Sequence, residues 1–294
     1  MGKLIYDRAG DNDKRAQCMM GAKNHCVIMP DANKERALND LAGSAFGAAG
    51  QRCMANSVAV FIGEAKNWIP ELTEKAKSLL VGPETNREAD LGPVISPAAK
   101  NRIISILNTG EEQGAKMVVD GRDCVVEGYE NGNFVGPTMF TDVTPDMDIY
   151  KEKIFGPALC VLEVDTLEEA IELINANPNG NGTSIFTQSG WAARTFENDI
   201  DVGQVGVDIP IPVPVAFFSF TGSRASKLGD LGPNGKQVVQ FWTQTKTVTK
   251  RWFEPDHRED GKIHTTISLK HSKIGCFVNI THLSTLPLFQ PSHS

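Results

Sequence analysis

Apolar residues recur along this chain in short continuous runs and in stripes with helical spacing. Residues 57–62 (SVAVFI) form a continuous run of strand length bounded by a glycine, which predicts a strand buried on both faces. The other predicted strands are residues 18–20, 26–29, 118–121, 134–135, 139–141, 183–187 and 204–207. The two stretches near the N-terminus, 18–20 and 26–29, are expected to be short and buried.

The helical stripes lie between these runs, at residues 31–47, 67–80, 97–114, 166–176 and 191–198. Asp31 is the predicted N-cap of the first helix, and Pro70 is tolerated in the first turn of the second. Thr166 and Glu169 have the T-x-x-E form of a capping box. Strands that alternate with helices of this length indicate an α/β domain with a largely parallel sheet.

The pattern changes toward the C-terminus. Residues 209–215 (IPIPVPV) predict an extended connector, because each proline biases the residue before it away from the helix. Residues 243–249 alternate β-branched and polar side chains, which is typical of an edge strand. Five of the six histidines follow residue 250, but their wide spacing lacks a metal-ligand pair, so no metal site is expected.

Composition narrows the class of protein. The 294 residues include 29 basic and 36 acidic side chains. This excess of acidic side chains does not indicate the basic surface that binds nucleic acid or an anionic membrane. No apolar run approaches the roughly 20 residues that span a bilayer. The six cysteines show no CxxC pair, which favours a reduced compartment, and the first residues predict neither a signal peptide nor a transit peptide.

Residues 46–55 (FGAAGQRCMA) place one cysteine, Cys53, on a glycine-spaced turn between a predicted helix and a predicted strand. Gly47 and Gly50 allow backbone conformations and close approaches that a Cβ would forbid. Free backbone N–H groups in such a turn can activate a thiol and hold a developing oxyanion. Cys53 is therefore a candidate nucleophile, although an isolated cysteine more often simply packs. His25, by contrast, is expected to be structural rather than a catalytic base.

The turn resembles the nucleophile signature F-G-x-x-G-Q-x-C of the aldehyde dehydrogenase superfamily. Four further stretches resemble the CoA-acylating branch of that superfamily in the same order, GAKNHCVIMPDAN, GYENGNFVGPT, GQVGVDIPIPVPV and FFSFTGSRAS. The resemblance covers residues 1 to about 250 and implies a three-layer α/β catalytic domain. It implies a C-terminal portion that lacks most of the NAD-binding domain.

The resemblance also divides the chain. It implies a remnant of the dinucleotide-binding domain at 1–23, the catalytic domain at 24–208, a return segment toward the cofactor domain at 209–242, an oligomerisation strand at 243–250, and an unrelated tail at 251–294. The tail is expected to be irregular and disordered. Homo-oligomers, as tetramers, and a location in the mitochondrial matrix are implied in the same way.

The chemistry implied by the resemblance is covalent. Cys53 would add to methylmalonate or malonate semialdehyde, NAD would take a hydride, and coenzyme A would cleave the thioester to give propionyl-CoA or acetyl-CoA, as in valine and pyrimidine catabolism. Arg52 would anchor the substrate carboxylate and Phe218 would line the substrate pocket; a surface arginine and a core phenylalanine are the alternatives. Met19, where hydrolytic members have a general-base glutamate, is expected to pack.

Residues 151–157 (KEKIFGP) resemble the E-E-I-F-G-P loop of the family, whose second glutamate binds the nicotinamide ribose and whose phenylalanine lies near the ring. The implied cofactor-binding positions are Lys153 and Phe155, yet a lysine cannot accept hydrogen bonds from ribose. Two functions stay open. The chain is the catalytic and oligomerisation part of an NAD-dependent, CoA-acylating semialdehyde dehydrogenase, or it is a truncated, inactive product that at most associates with full-length subunits.

Overall fold

A computed structural model of the chain describes residues 1–250 and the strand Cys276–Val278. Its helices are α1 Gly2–Gly10, α2 Lys34–Phe46, α3 Ile69–Ser78, α4 Pro97–Glu112, α5 Asp148–Lys151, α6 Leu167–Ala176, α7 Gly190–Asp199 and α8 Gly235–Trp242. Short 3₁₀ helices cover Gly47–Gly50 and Gly63–Trp68. The predictions of a disordered tail and of no metal site among its histidines concern residues that, apart from the one strand, lie outside this description.

The strands are β1 Cys18–Met19, β2 Asn24–Ile28, β3 Asn56–Ile62, β4 Lys116–Val119, β5 Thr138–Thr141, β6 Ala158–Val164, β7 Asn179–Gly180, β8 Thr183–Phe186, β9 Val205–Val207, β10 Ser223–Arg224, β11 Lys227–Leu228, β12 Thr247–Thr249 and β13 Cys276–Val278. Seven of them form one sheet in the order β4-β5-β6-β3-β2-β8-β9. All neighbours in that sheet are parallel except β4 and β5. The predicted α/β class with a largely parallel sheet is confirmed.

The sheet has a hydrophobic core on each face, which gives three layers. On one face α2 and α3 pack against it through side chains such as Leu38, Leu41 and Leu72. On the other face α4, α6 and α7 contribute Leu107 and Phe196, among others. Each fully buried side chain of this kind contributes about 1.5–3 kcal/mol. Because β3 lies between β6 and β2 under both layers, its apolar run is continuous.

Helix α2 begins two residues later than a cap at Asp31 would allow. Asn33 is the N-cap, and its side-chain oxygen accepts the backbone N–H of Arg36 at 3.1 Å. The Asp31 carboxylate instead accepts the Thr187 hydroxyl at 2.9 Å and the backbone N–H of Gln188 at 3.0 Å, just after β8. The prediction of Asp31 as the cap is therefore wrong, because a tertiary partner takes its oxygens.

Other local predictions are corrected where burial and pairing differ from the sequence pattern. Residues 134–135 are buried in a loop and do not form a strand. Met19 is 41% exposed, so the first short strand is buried only at Cys18. Helices α1 and α8 were not predicted, and neither buries a residue. The apolar side chains of α8 at Val238, Phe241 and Trp242 do recur at helical spacing, so this helix could have been predicted from the sequence. The predicted edge strand at 243–249 is shorter, because β12 covers only its last three residues.

Candidate active site

The cysteine turn joins α2 to the core strand β3. After α2 ends at Phe46, Ala48 and Ala49 adopt left-handed φ values of 53° and 51°, and the chain then reverses into β3. Cys53 is exposed on this turn, immediately after Arg52. The prediction that the cysteine stands between a helix end and a buried strand is confirmed.

Gly50 brings the cysteine turn against a second loop, residues 152–157. Its φ is +66°, and a Cβ there would lie 2.0 Å from the backbone oxygen of Gly156. Only glycine permits both features. Gly47 has an ordinary φ of −54°. What it provides is space, because a Cβ there would come within 3.0 Å of the Arg52 guanidinium.

Two buried amides hold the backbone of the cysteine turn from behind. Asn24 Nδ2 donates to the carbonyls of Cys53 and Ala55, both at 2.9 Å, and Asn181 Nδ2 donates to the Cys53 carbonyl at 3.0 Å. These bonds fix the backbone that presents the thiol. Sequence reasoning missed both asparagines, since a buried amide gives no periodic signal.

The facing loop carries Lys153 and Phe155. The Lys153 ammonium lies 5.1 Å from the centroid of the Phe155 ring, a cation–π distance. Phe155 is 39% exposed and has a left-handed φ of 51°. Burial lowers the pKa of Lys153, whereas the charge of Cys53 acts in the opposite direction.

Two other cations hold this loop by its carbonyls. Arg102 of α4 donates to the carbonyls of Lys153, at 3.2 Å, and Ile154. The buried Lys23 donates to the carbonyls of Ile149, at 2.5 Å, and Glu152, at 3.0 Å. Burial lowers the pKa of Lys23 below its usual range. Backbone contacts on both sides thus fix the position of the loop next to the thiol.

His25 lies beneath this region and is structural, as predicted. It is fully buried in β2, and its Nε2 lies 2.8 Å from the Tyr150 hydroxyl. Burial, followed by the charge of Lys23, lowers its pKa to about 3. A neutral, buried imidazole with a hydrogen-bond partner has no role as a base at the cleft.

The turn and the loop line an open cleft with about 320 Å³ of empty space, its mouth included. Its lining contains Arg52, Cys53, Lys153 and Phe155, together with Ala22, Asn24, Ala45, Gly50, Ala55, Asn56, Ser57, Ile154, Gly156 and Ala158. The lining contains two cations and no carboxylate. Phe218, the remaining predicted site residue, is 66% exposed and lies outside this lining. Within the described residues no group of three or more His, Cys, Asp or Glu side chains is placed to hold a metal.

An exposed thiol on a backbone-fixed turn beside a parallel α/β sheet indicates an enzyme with a cysteine nucleophile. Comparison with known proteins identifies the family. Residues 1–248 match the aldehyde dehydrogenase family, and the chain belongs to that family. It is 64% identical over 255 residues to a protein of Anopheles gambiae named probable methylmalonate-semialdehyde/malonate-semialdehyde dehydrogenase [acylating], mitochondrial, with coverage of 87% of this chain and 49% of that one. A Bos taurus protein with the same name, without "probable", is 58% identical, with coverage of 87% and 48%.

Solved structures agree with these relatives. A methylmalonate-semialdehyde dehydrogenase from Oceanimonas doudoroffii matches with 48% identity and a TM-score of 0.84, over 86% of this chain and 52% of that one. A Sinorhizobium meliloti protein provisionally named methylmalonate-semialdehyde dehydrogenase, and complexed with NAD, matches with 51% identity, the same TM-score and the same coverage. The chain therefore spans about half the length of the relatives it matches.

NAD can be tested against the residues at the cleft. Phe155 has an exposed aromatic ring, and the Lys153 ammonium lies over that ring. Ribose hydroxyls need acceptors, and the lining contains no carboxylate to provide them. Lys153 therefore cannot take the place of a glutamate as the ribose acceptor, whereas the exposed Phe155 ring is the residue of this cleft that would contact bound NAD.

Proposed function

We propose that this chain carries the cysteine region of an NAD-dependent, CoA-acylating methylmalonate-semialdehyde/malonate-semialdehyde dehydrogenase. The observation that carries the proposal is an exposed thiol, Cys53, on a fixed turn in a cleft with two cations and no carboxylate. The names of the relatives support the substrate class, and the family supports aldehyde oxidation.

The step for which this chain has the residues is capture of the aldehyde. The Cys53 thiolate attacks the aldehyde carbon, an Sγ–C bond forms, and the carbonyl electron pair moves to oxygen to give an alkoxide. Arg52 is proposed to bind the substrate carboxylate, because a planar guanidinium matches that group and no protein carboxylate in the lining competes for it. Phe218 is a proposed pocket aromatic by family resemblance, although it lies outside the lining of the cleft at Cys53.

Coenzyme A is proposed as the acceptor of the acyl group. Hydrolysis of a thioester at Cys53 needs a base to activate water, and no carboxylate lines the cleft. A second thiol is far more acidic than water, so it loses its proton to solvent and attacks as the thiolate without a strong base in the cleft. This supports acyl transfer over hydrolysis and agrees with the "acylating" names of the relatives. NAD supplies the hydride acceptor when bound, as the complex of the Sinorhizobium meliloti relative suggests.

Location and assembly are proposed from the relatives and from β12. Names that include "mitochondrial" support a mitochondrial matrix protein. None of the helices in the described part of the chain has the length and apolar character to cross a membrane. The β-branched strand β12 is exposed throughout and pairs on one side with β13, and we propose it as the strand that joins subunits of a homotetramer. Light scattering of the purified chain would give its mass.

The test begins with calorimetric titration of the chain with NAD, followed by turnover of malonate semialdehyde with coenzyme A. Protection of Cys53 from iodoacetamide by malonate semialdehyde, read by mass spectrometry, measures capture without turnover. Protection of Cys53 and NADH production would support the dehydrogenase, and Cys53→Ser should abolish NADH production. Absence of NAD binding, turnover and protection would favour the alternative, an inactive product that at most associates with full-length subunits.

A further inference from the structure

Two side chains of the cleft carry positive charge without a carboxylate partner. Arg52 precedes the thiol on the cysteine turn, and Lys153 lies on the facing loop. None of the ion pairs found in the described part of the chain includes either of them. Five cations of the described residues do form ion pairs, namely Lys3, Lys34, Arg36, Lys77 and Arg122, so what distinguishes Arg52 and Lys153 is their shared place in the cleft.

The position of Lys153 is fixed rather than adventitious. Its backbone carbonyl accepts from Arg102, and the carbonyl of the preceding residue accepts from Lys23. The contact of Gly50 with the Gly156 backbone sets this loop against the cysteine turn. The half-buried ammonium has one titratable neighbour that acts on its pKa, Cys53, which raises it against the effect of burial.

We propose that Lys153 is a second anion-binding residue of the cleft, which acts with Arg52 to select anionic aldehydes at Cys53 and to stabilise the alkoxide of the adduct. This inference rests on the proposed function. In the addition step the negative charge leaves Sγ and arrives on the former carbonyl oxygen, with no proton gained or lost, so a nearby ammonium offsets it throughout.

The charge selectivity of the thiol can be measured without turnover. Iodoacetate and iodoacetamide alkylate cysteine by the same displacement and differ by one negative charge. Second-order rate constants for both reagents at Cys53, read by mass spectrometry of its peptide, give a ratio that is compared with the ratio for a neutral model thiol. Peptide assignment is needed because Cys124 is also partly accessible.

The unmodified chain should show a higher iodoacetate to iodoacetamide ratio than the model thiol. Lys153→Met should lower the ratio about three- to tenfold, which is the effect expected of one partly screened charge near the thiol. Lys153→Glu should lower it below the model thiol. Raising the ionic strength to about 1 M should reduce the differences in this ratio among the variants and the model thiol. Lys151→Met is the matched control, because this exposed lysine of the same segment turns to the Asp146 carbonyl and does not line the cleft.

The inference is overturned if the ratio is the same in Lys153→Met and Lys153→Glu as in the unmodified chain, or if Lys151→Met lowers it equally. Circular dichroism of each variant separates loss of charge from loss of fold, and the rate with neutral iodoacetamide reports access to the thiol. If iodoacetamide reacts normally with Cys53 and the chain captures malonate semialdehyde, but the iodoacetate to iodoacetamide ratio shows no charge selectivity, only the role of Lys153 is refuted. A thiol unreactive toward both reagents would refute this inference and the proposed function together.

Discussion

At the scale of single residues, Gly50 is the position where the backbone geometry most strictly requires the residue type that the sequence has. We expect Gly50→Ala to destabilise the chain by at least about 2 kcal/mol, because a left-handed φ and a clash with the Gly156 oxygen act together. Urea unfolding measures the loss. Gly43→Ala is the control: it lies in α2 with open space around the new Cβ, and should be neutral or stabilising by about 0.5–1 kcal/mol. Equal losses in both variants would contradict the close approach.

His25 is the residue from which a pH dependence follows. Its folded-state pKa of about 3 lies below the ordinary value of 6.5, so the unfolded chain binds the proton more readily. Its contribution to stability is complete above pH 6.5 and is lost as the pH falls toward 3. We expect the free energy of unfolding to fall by up to about 1.4 kcal/mol per pH unit in this window, relative to His25→Gln.

Urea unfolding of both proteins from pH 7.5 to 4 measures that difference. Carboxylates that titrate in the same window contribute to both proteins, so the difference isolates the imidazole. Parallel curves would show that His25 binds its proton as readily in the folded chain as in the unfolded one, against its burial beside Lys23.

At the scale of elements, the amide contacts between β2, the segment before β8 and the cysteine turn decide where the thiol points. We expect Asn181→Ala to cost about 1–2 kcal/mol, because the Cys53 carbonyl then keeps only the Asn24 amide. The rate of Cys53 alkylation by iodoacetamide should change as well. Asn67→Ala, an exposed asparagine bonded only to Glu64, should alter neither quantity.

The double variant Asn24→Ala/Asn181→Ala extends that test. Both amides donate to one oxygen, so the two costs should not add. Strict additivity, with an unchanged alkylation rate in all three variants, would show that these contacts support β2 and β8 without positioning the turn.

At the scale of the whole molecule, the chain exposes an apolar surface along the predicted connector and beyond it. Phe217 is 84% exposed and Phe218 66% exposed, and Val213 and Val215 are more than half exposed nearby. Surfaces of this kind promote association. We expect Phe217→Ser/Phe218→Ser to reduce both dye binding and light scattering of the purified chain. Trp191→Ser, which removes a single 67% exposed aromatic on α7, should leave both nearly unchanged.

The sequence by itself determined the elements whose periodicity reflects burial. The run of β3 and the stripes of α2, α4 and α6 are set by which residues must leave water, so the parallel α/β class follows from pattern alone. Thr166 is another local case, because its hydroxyl accepts the Glu169 N–H at 3.2 Å, as the capping-box spacing predicts. The cysteine turn could also be predicted from the sequence, because Gly50 there adopts a left-handed φ that favours glycine.

Tertiary structure alone decided the partners of polar groups that bond to a segment remote in sequence. Asp31 caps nothing because Thr187 takes its carboxylate. Asn24 of β2 and Asn181 of the segment before β8 bond to the cysteine turn from positions distant in sequence. A hydrogen bond between remote segments leaves no periodic trace, because either partner alone looks like an ordinary polar residue. The position of Lys153 beside Cys53 likewise depends on tertiary structure. The sequence gives the charge of Lys153, but the packing of Gly50 on Gly156 brings that charge close to the thiol.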